Sequence, residues 1–215
     1  DPFALRRHAL GILRMLIEKE LPLSLDKLIA IGTEEESVVP GVKDATEELK
    51  QFFHDRLRVM QKDQGFTAHE VESVIGSEPA ILADVPKRLK AVHDFMSLPE
   101  AESLAAANKR IENILKKNTL PLADAVDPAL LTEKEEKDLY EAIRTLEPKL
   151  EADYKAGRYE DELRSLAPQK APVDAFFDKV MVNAEDEALR RNRLTLLNEL
   201  HKAMNQVAKL SCLAS

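Results

Sequence analysis

Basic side chains occur with polar ones on two predicted helices, and together they could bind a nucleic acid. In the first helix, over residues 43–63, Arg58 and Lys62 are four apart and share the outward side with Asp55, while Arg56 flanks the apolar stripe. Lys and Arg bind phosphates, and a carboxylate accepts hydrogen bonds from base amino groups. The pattern indicates a candidate RNA-binding face, although a solvated helix face has the same composition.

The second set lies on a helix predicted to run from residue 99 to residue 117. Its apolar residues point to the core, and Lys109, Asn113, Lys116 and Lys117 form the opposing face beside Arg110. Asn108 lies on the apolar side, where it could make a structural hydrogen bond or read the edge of an unstacked base. The candidate RNA-binding residues of this helix are Asn108, Lys109, Arg110, Asn113 and Lys117.

Three further side chains have two interpretations each. Arg193 falls at the margin of the apolar stripe of the last helix, where it could stabilise the fold or contact RNA. Phe176 and Phe177 are adjacent and cannot face the same way. We expect one of them in the core, and the other either stacks on a base or covers a neighbouring helix.

The sequence patterns that would indicate catalysis are weaker than the basic sets described above. The dipeptides His54-Asp55 and His93-Asp94 are of the type that holds a divalent ion in metal-dependent phosphohydrolases, but both fall on predicted polar helix faces. The sequence has no nucleophile elbow, no glycine-rich phosphate loop and no His-Glu-x-x-His motif. We therefore expect no catalytic residue and no metal ligand in this chain, and keep an HD-type phosphohydrolase as an alternative.

Composition limits the fold and the setting. The 215 residues include 44% hydrophobic, 33% charged and only 5% aromatic residues, with six Gly and one Cys, which favours an all-α fold in a reducing cytoplasm. No apolar run approaches the ~20 residues of a membrane span. The net charge is −8, yet residues 86–117 carry seven basic and four acidic residues, so an anion can still bind locally.

Helix signals divide this chain into a bundle of about nine or ten helices. Asp1 is a predicted N-cap, Thr67 with Glu70 and Thr132 with Glu135 are capping-box patterns, and the helix from Thr132 is expected to pass Pro148 with a kink or break. The other predicted features are an exposed linker over residues 32–41 and a final helix over 186–210.

Four segments, in order, carry a resemblance to a known family. DPFALRR at 1–7, FHDRL at 53–57, ANKRI at 107–111 and PVDAFFDKVMV at 172–182 resemble the beta subunit of the bacterial tetrameric glycyl-tRNA synthetase. The last helix also resembles the all-helical anticodon-binding domain shared with arginyl-tRNA synthetases and named for an Asp-Ala-Leu-Arg (DALR) signature. The corresponding residues read EALR at 187–190.

The resemblance implies the C-terminal part of the beta subunit of an alpha2-beta2 glycine-tRNA ligase. Residues 1–40 would then be the last helices of an HD-like body plus a linker, and 41–215 a DALR-like anticodon-binding domain. Glycine activation, with ATP and magnesium, belongs to the alpha subunit in that family, so no cofactor is expected here. The implied partners are glycine tRNA and the alpha subunit, with no DNA and no membrane.

The anticodon of glycine tRNA explains why such residues would suit the task. Glycine codons begin with GG, so the anticodon ends in two cytosines. Cytosine needs an acceptor for its amino group and donors for its carbonyl oxygen and ring nitrogen. The two helices supply both the acceptors, as carboxylate and amide groups, and the donors, as amide and cationic groups. We expect these helices to flank the anticodon loop. A helical scaffold that binds an acidic protein without RNA specificity remains the other alternative.

Overall fold

The computed structural model describes residues 2–36 and 45–214, and within them the chain is all-α. These residues form ten α-helices, four short 3-10 helices and no strand apart from one isolated bridge between Ser24 and Ile81. The predicted fold class and the expected nine or ten helices are confirmed. The α-helices are α1 Pro2–Glu18, α2 Leu25–Glu36, α3 Thr46–Asp63, α4 Ala68–Ile75, α5 Val85–Met96, α6 Ala101–Lys117, α7 Lys134–Lys155, α8 Tyr159–Arg164, α9 Lys170–Lys179 and α10 Glu187–Met204.

The chain divides into two compact units, residues 1–90 and 91–215, with the boundary inside α5. The boundary predicted between residues 40 and 41 lies outside the described residues, as does the predicted N-cap Asp1. The predicted linker over 32–41 is wrong at its start, because α2 continues to Glu36.

In the first unit, α3 packs against α1, α2 and α4. α1 is buried through Ala9, Leu13 and Leu16. Leu5 and Met15 of the same helix stay 51% and 56% exposed. The apolar composition of α1 predicts burial on several sides, and within the described residues only one side is covered.

In the second unit, α10 packs against α6 and α7, and α9 packs against the same two helices. Their contacts enclose an aliphatic core with one fully buried aromatic ring, Phe176. A 3-10 helix, Leu210–Leu213, packs on α6. The predicted final helix is wrong beyond Met204, where α10 ends. The core side chains include Leu104, Ala105, Ile111, Leu139, Ile143, Leu150, Val173, Phe176, Leu194, Leu196, Leu197 and Leu200.

Helix ends follow local chemistry. The Thr67 hydroxyl accepts a hydrogen bond from the Glu70 amide at 3.2 Å, and the Glu70 carboxylate accepts one from the Thr67 amide at 2.8 Å, so this predicted capping box is confirmed. The box at α7 is formed by Glu133 and Glu136 instead of Thr132 and Glu135.

α7 runs through Pro148 without a break. Proline removes one backbone N–H, and because Pro148 is exposed, water can satisfy the carbonyl that this amide would have reached. The helix ends at Lys155, and Gly157 follows with a φ of 68°, a conformation that glycine adopts without strain.

Candidate nucleic-acid interface

α6 places four polar side chains on one exposed side. Its buried side is formed by Leu104, Ala105 and Ile111, and the helical repeat turns the opposite side outward. Four of the predicted candidates lie there and are exposed. We call this set the α6 surface; it consists of Lys109, Arg110, Asn113 and Lys117.

The α6 surface lines an open depression of about 420 Å³ together with Ala106 and Ile114. Lys109, Asn113 and Lys117 are spaced four residues apart, so they form a row along the helix with neighbouring Cβ atoms about 5–6 Å apart. The two lysines therefore stand on either side of the amide. This arrangement offers cationic donors and one side chain that both donates and accepts.

Arg110 stands on the ring of Phe177 from α9. The guanidinium carbon lies 4.2 Å from the ring centroid. Phe177 is itself fixed by an edge contact with the fully buried Phe176, with centroids 5.6 Å apart and planes at 81°. Of the two adjacent rings, Phe176 is the core residue and Phe177 covers the neighbouring helix α6. The sequence predicted that one ring could cover a neighbouring helix, but nothing in it indicated that Arg110 would contact that ring.

Within the part of the chain that the structure describes, no acidic side chain neutralises the α6 surface. Among the described residues, the side chains of Lys109, Asn113 and Lys117 form no ion pair and no hydrogen bond. Arg110 likewise has no acidic partner in that part of the chain. All four polar side chains thus have no acidic partner among the described residues and remain available to a ligand.

Lys116, on the same helix, behaves differently. Its ammonium lies 2.7 Å from the Glu112 carboxylate, which Lys209 also approaches at 3.2 Å. Although burial opposes the shift, hydrogen bonds from Lys116, Ser211 and Lys209 lower the pKa of Glu112 to about 2. Glu112 is therefore ionised at neutral pH, and Lys116 is held by it. Lys209 joins the last 3-10 segment to α6, a contact that the sequence analysis missed.

Asn108 is fully buried and does not belong to the α6 surface. Its amide nitrogen donates to the sulfur of Met204 on α10 at 3.8 Å, and its relative exposure is 0%. A base cannot reach this side chain in the folded chain. The structural interpretation therefore holds for Asn108, and we leave it out of the candidate interface.

Arg193 is also buried, at 5% exposure. Its guanidinium donates to Glu136 on α7 through two nitrogens, at 2.6 and 3.4 Å, and to the carbonyl oxygen of Met181 at 2.8 Å. Burial works against ionisation, yet Arg193 and the backbone amide of Glu133 keep the pKa of Glu136 below its ordinary value. Of its two interpretations, the structure supports the stabilising one, and the predicted RNA contact at Arg193 is incompatible with this burial.

The candidates on α3 are largely engaged within the first unit. Arg58 binds Glu72 of α4 through two nitrogens, at 2.9 and 3.3 Å, and Asp55 at 3.1 Å. Asp55 also accepts from the amide of Gln51 at 2.8 Å. The guanidinium of Arg56 lies over the Phe52 ring at 4.8 Å from its centroid.

Lys62 is the exposed cation of this set without an ion pair among the described residues. His54 was predicted on the same outward side, and this is wrong, since it is only 5% exposed. Burial, followed by the charges of Arg58 and Lys50, lowers the pKa of His54. The α3 and α6 sets belong to different units, and the prediction that the two helices flank one loop stays a prediction.

Two properties of the described residues concern metal binding and membrane spanning. No group of three or more His, Cys, Asp and Glu side chains there could hold a metal ion. No helix within that part of the chain is both long and apolar enough to cross a membrane.

Comparison with known proteins decides the family. Residues 104–211, which include the whole α6 surface, match the family model of the DALR anticodon-binding domain. The chain belongs to the DALR anticodon-binding domain family. Residues 1–76 match a second model, that of the glycyl-tRNA synthetase beta subunit.

Individual relatives agree with both models. The chain is 53% identical over 219 residues to the glycine-tRNA ligase beta subunit of Delftia acidovorans, which covers 100% of this chain and 30% of that protein. It is 51% identical over 215 residues to the beta subunit of Dechloromonas aromatica, again covering 100% and 30%. The corresponding protein of Nitrosomonas eutropha is 48% identical over 228 residues, covering 100% and 32%.

The chain thus spans about 30% of the length of these curated relatives and matches their C-terminal region. The resemblance predicted from the four sequence segments is confirmed. The DALR match contains the EALR residues at 187–190, where α10 begins behind its N-cap Asp186. The Asp186 carboxylate accepts hydrogen bonds from the amides of Ala188 and Leu189 at 2.8 and 3.0 Å.

Proposed function

We propose that this chain is the anticodon-binding part of the beta subunit of a glycine-tRNA ligase, and that it grips glycine tRNA through the α6 surface. The observation that carries the proposal is the α6 surface itself: cations and an amide that are exposed and have no acidic partner among the described residues. Family membership supplies the kind of ligand, because the matching domain is described as anticodon binding.

The chemistry of the α6 surface suits a single-stranded RNA loop. Lysines neutralise phosphates, and an unstacked base presents its edge to an amide such as Asn113. Lys62 on α3 supplies a second candidate contact, with Arg56, Arg58 and Asp55 beside it. These four remain a proposal of lower priority because three of them already have partners within the first unit.

In the complete enzyme, this part would position glycine tRNA for aminoacylation by the separate alpha subunit, within an alpha2-beta2 assembly. ATP and magnesium would act at the alpha subunit, and this chain would contain no cofactor. The role proposed for the chain is therefore recognition, with the chemical step performed elsewhere.

A fluorescence titration tests the proposal. The chain is titrated with a glycine tRNA transcript and with the same transcript carrying uracil in place of both anticodon cytosines, at several salt concentrations. We expect tighter binding of the native transcript. For each neutralised phosphate of a single strand, the logarithm of the binding constant should fall by about 0.7 for every tenfold increase in salt concentration. Equal binding of both transcripts would reduce the role to a nonspecific grip, and no binding at all would favour the protein-interaction scaffold.

Charge-removing variants connect the result to α6. A double Lys109→Gln, Lys117→Gln variant should lower the salt slope by about 0.7 units for each phosphate contact that is removed, and so by about 0.7 to 1.4 units. The matched control is Lys134→Gln with Lys155→Gln, two exposed lysines of α7 that pair with Asp138 and Glu151. An unchanged slope in the α6 variant, or an equal change in the control, would remove the α6 lysines from the interface.

A further inference from the structure

The Arg110 guanidinium is a planar cationic group at the depression on α6. Its central carbon lies 4.2 Å from the centroid of the Phe177 ring, and that ring packs on Phe176 in the core. Arg110 is exposed. Planar guanidinium groups and aromatic rings are the surfaces on which unstacked RNA bases stack. A lysine at this position would provide the charge without the plane.

The residues beside this plane could distinguish bases. Asn113 lies three residues from Arg110, on the same side of the helix, and Lys109 and Lys117 flank it. Cytosine presents an amino donor next to two acceptors, N3 and O2, whereas uracil presents an acceptor, then a donor at N3, then an acceptor. The carbonyl oxygen of Asn113 can accept from the cytosine amino group while a lysine donates to N3. In uracil the same lysine would meet an N–H at N3.

We propose that the depression on α6 binds one unstacked cytosine, which stacks on the guanidinium of Arg110 and has its edge met by Asn113 and a flanking lysine. Phe177 is the positioning residue, since it contacts the guanidinium and does not touch the base. This inference rests on the proposed function, which supplies the RNA, and it adds the base and the residues that bind it.

The test combines protein variants with altered anticodon stem-loops of glycine tRNA. Arg110→Lys keeps the charge and removes the plane, and Phe177→Leu keeps an apolar contact and removes the ring. Each is titrated with the native stem-loop and with stem-loops that lack the base at one or the other anticodon cytosine. Asn113→Ala is titrated with the native stem-loop and with uracil at each of the two positions.

At one of the two positions, removal of the base should weaken wild-type binding about tenfold, a typical size for the stacking of one base. Arg110→Lys and Phe177→Leu should bind the native loop about tenfold less tightly and lose little more when that base is absent. Their salt slopes should equal that of the wild type, because no phosphate contact is removed. Asn113→Ala should bind cytosine and uracil loops nearly equally at that position.

The stacking site would be overturned if, at both anticodon positions, the loss of affinity caused by the variant simply added to the loss caused by removing the base. Full affinity of the Arg110→Lys variant for the native stem-loop would overturn it as well. Either result would leave the proposed function intact, provided that the wild type still prefers the native anticodon. Absence of wild-type binding would instead refute both. Arg110→Lys alters no core side chain, so the test stands even if Phe177→Leu fails to fold.

Discussion

α3 and α6 carry similar residues and differ in what those residues do. Both helices carry arginine and lysine beside an uncharged or acidic polar residue. On α3, Arg58 and Lys62 are four residues apart, and on α6 Lys109 and Asn113 are four residues apart. On α3, Arg58 is bound by Glu72 and Asp55. On α6, Arg110 meets an aromatic ring, and no acidic side chain of the described residues approaches it.

The difference comes from the elements packed against each helix. α4 presents a glutamate to α3, whereas α9 presents Phe177 to α6. An ion-paired arginine is partly neutralised and has its donors occupied, while an arginine on an aromatic ring keeps its charge and most of its donors. Identical residue types thus stabilise the fold in one place and remain available to a ligand in another.

The largest effect should come from an arginine used wholly by the fold. Arg193→Ala leaves Glu136 as a buried carboxylate without its partner, which typically costs about 3–5 kcal/mol of unfolding free energy. Urea denaturation followed by circular dichroism measures this loss. The control is Arg191→Ala on the same helix, whose exposed pair with Glu187 should contribute below about 0.5 kcal/mol. Equal losses in both variants would contradict the assignment of Arg193 to the fold.

An arginine of the opposite kind should change binding and leave stability alone. Arg110→Glu should weaken binding of glycine tRNA about tenfold or more, because it removes the proposed stacking surface and places a negative charge beside a polyanion. Its melting temperature should stay close to that of the wild type. Arg164→Glu on α8 reverses the charge of another exposed arginine and should bind RNA normally. Unchanged affinity in a folded Arg110→Glu variant would remove Arg110 from the interface.

Arg58 offers a direct way to break the comparison. Arg58→Ala removes the contacts with Glu72 and Asp55, which are half exposed, so we expect a stability loss of up to about 1 kcal/mol and an RNA affinity within twofold of the wild type. Thermal unfolding and the tRNA titration measure the two quantities. A clear loss of affinity with full stability would mean that α3 contacts RNA despite its internal ion pairs.

The smallest effect is expected at Glu112, which holds Lys116 in an ion pair while the neighbouring lysines of α6 have none among the described residues. The folded pKa of Glu112, about 2, lies below the ordinary value of 4.5, so its stabilising contribution is present above pH 4.5 and is lost as the pH falls towards 2. Lys116 and Lys209 are 67% and 39% exposed, so solvent screening should make this contribution smaller than the fall in the pKa of Glu112 alone would give.

Glu112→Gln should therefore be slightly less stable than the wild type at pH 7, and the difference should shrink between pH 4.5 and pH 2. Urea titrations at several pH values would detect it. A constant difference across that range would show that the ion pairs of Glu112 do not stabilise the fold.

Local features of the fold could be predicted from the sequence. Thr67 and Glu70 are close in the chain, and their capping box depends on nothing else. The placement of Lys109, Asn113 and Lys117 follows from the helical period and the apolar residues opposite them. These predictions succeeded because neighbours in sequence determine them.

The residues whose role the sequence left open, and the one that it misplaced, depend on distant partners. Arg193 is paired with Glu136, 57 residues away, and Asn108 meets Met204, 96 residues away. His54 is polar and stands next to Asp55, which suggested the solvent side, but the surrounding helices cover it. The helical period predicts which face of a helix a side chain lies on. It does not predict which residues of other helices pack against that face.

The bond from Arg193 to the carbonyl oxygen of Met181 has a consequence for oxidative damage. It fixes the backbone of Met181, while the residue as a whole stays 72% exposed. Oxidants convert such a thioether to a polar sulfoxide, which at this position would point into water. Met204, in contact with Asn108, is only 1% exposed and is shielded from the same reagents. Met181 can therefore take up an oxygen atom while the core keeps its shape.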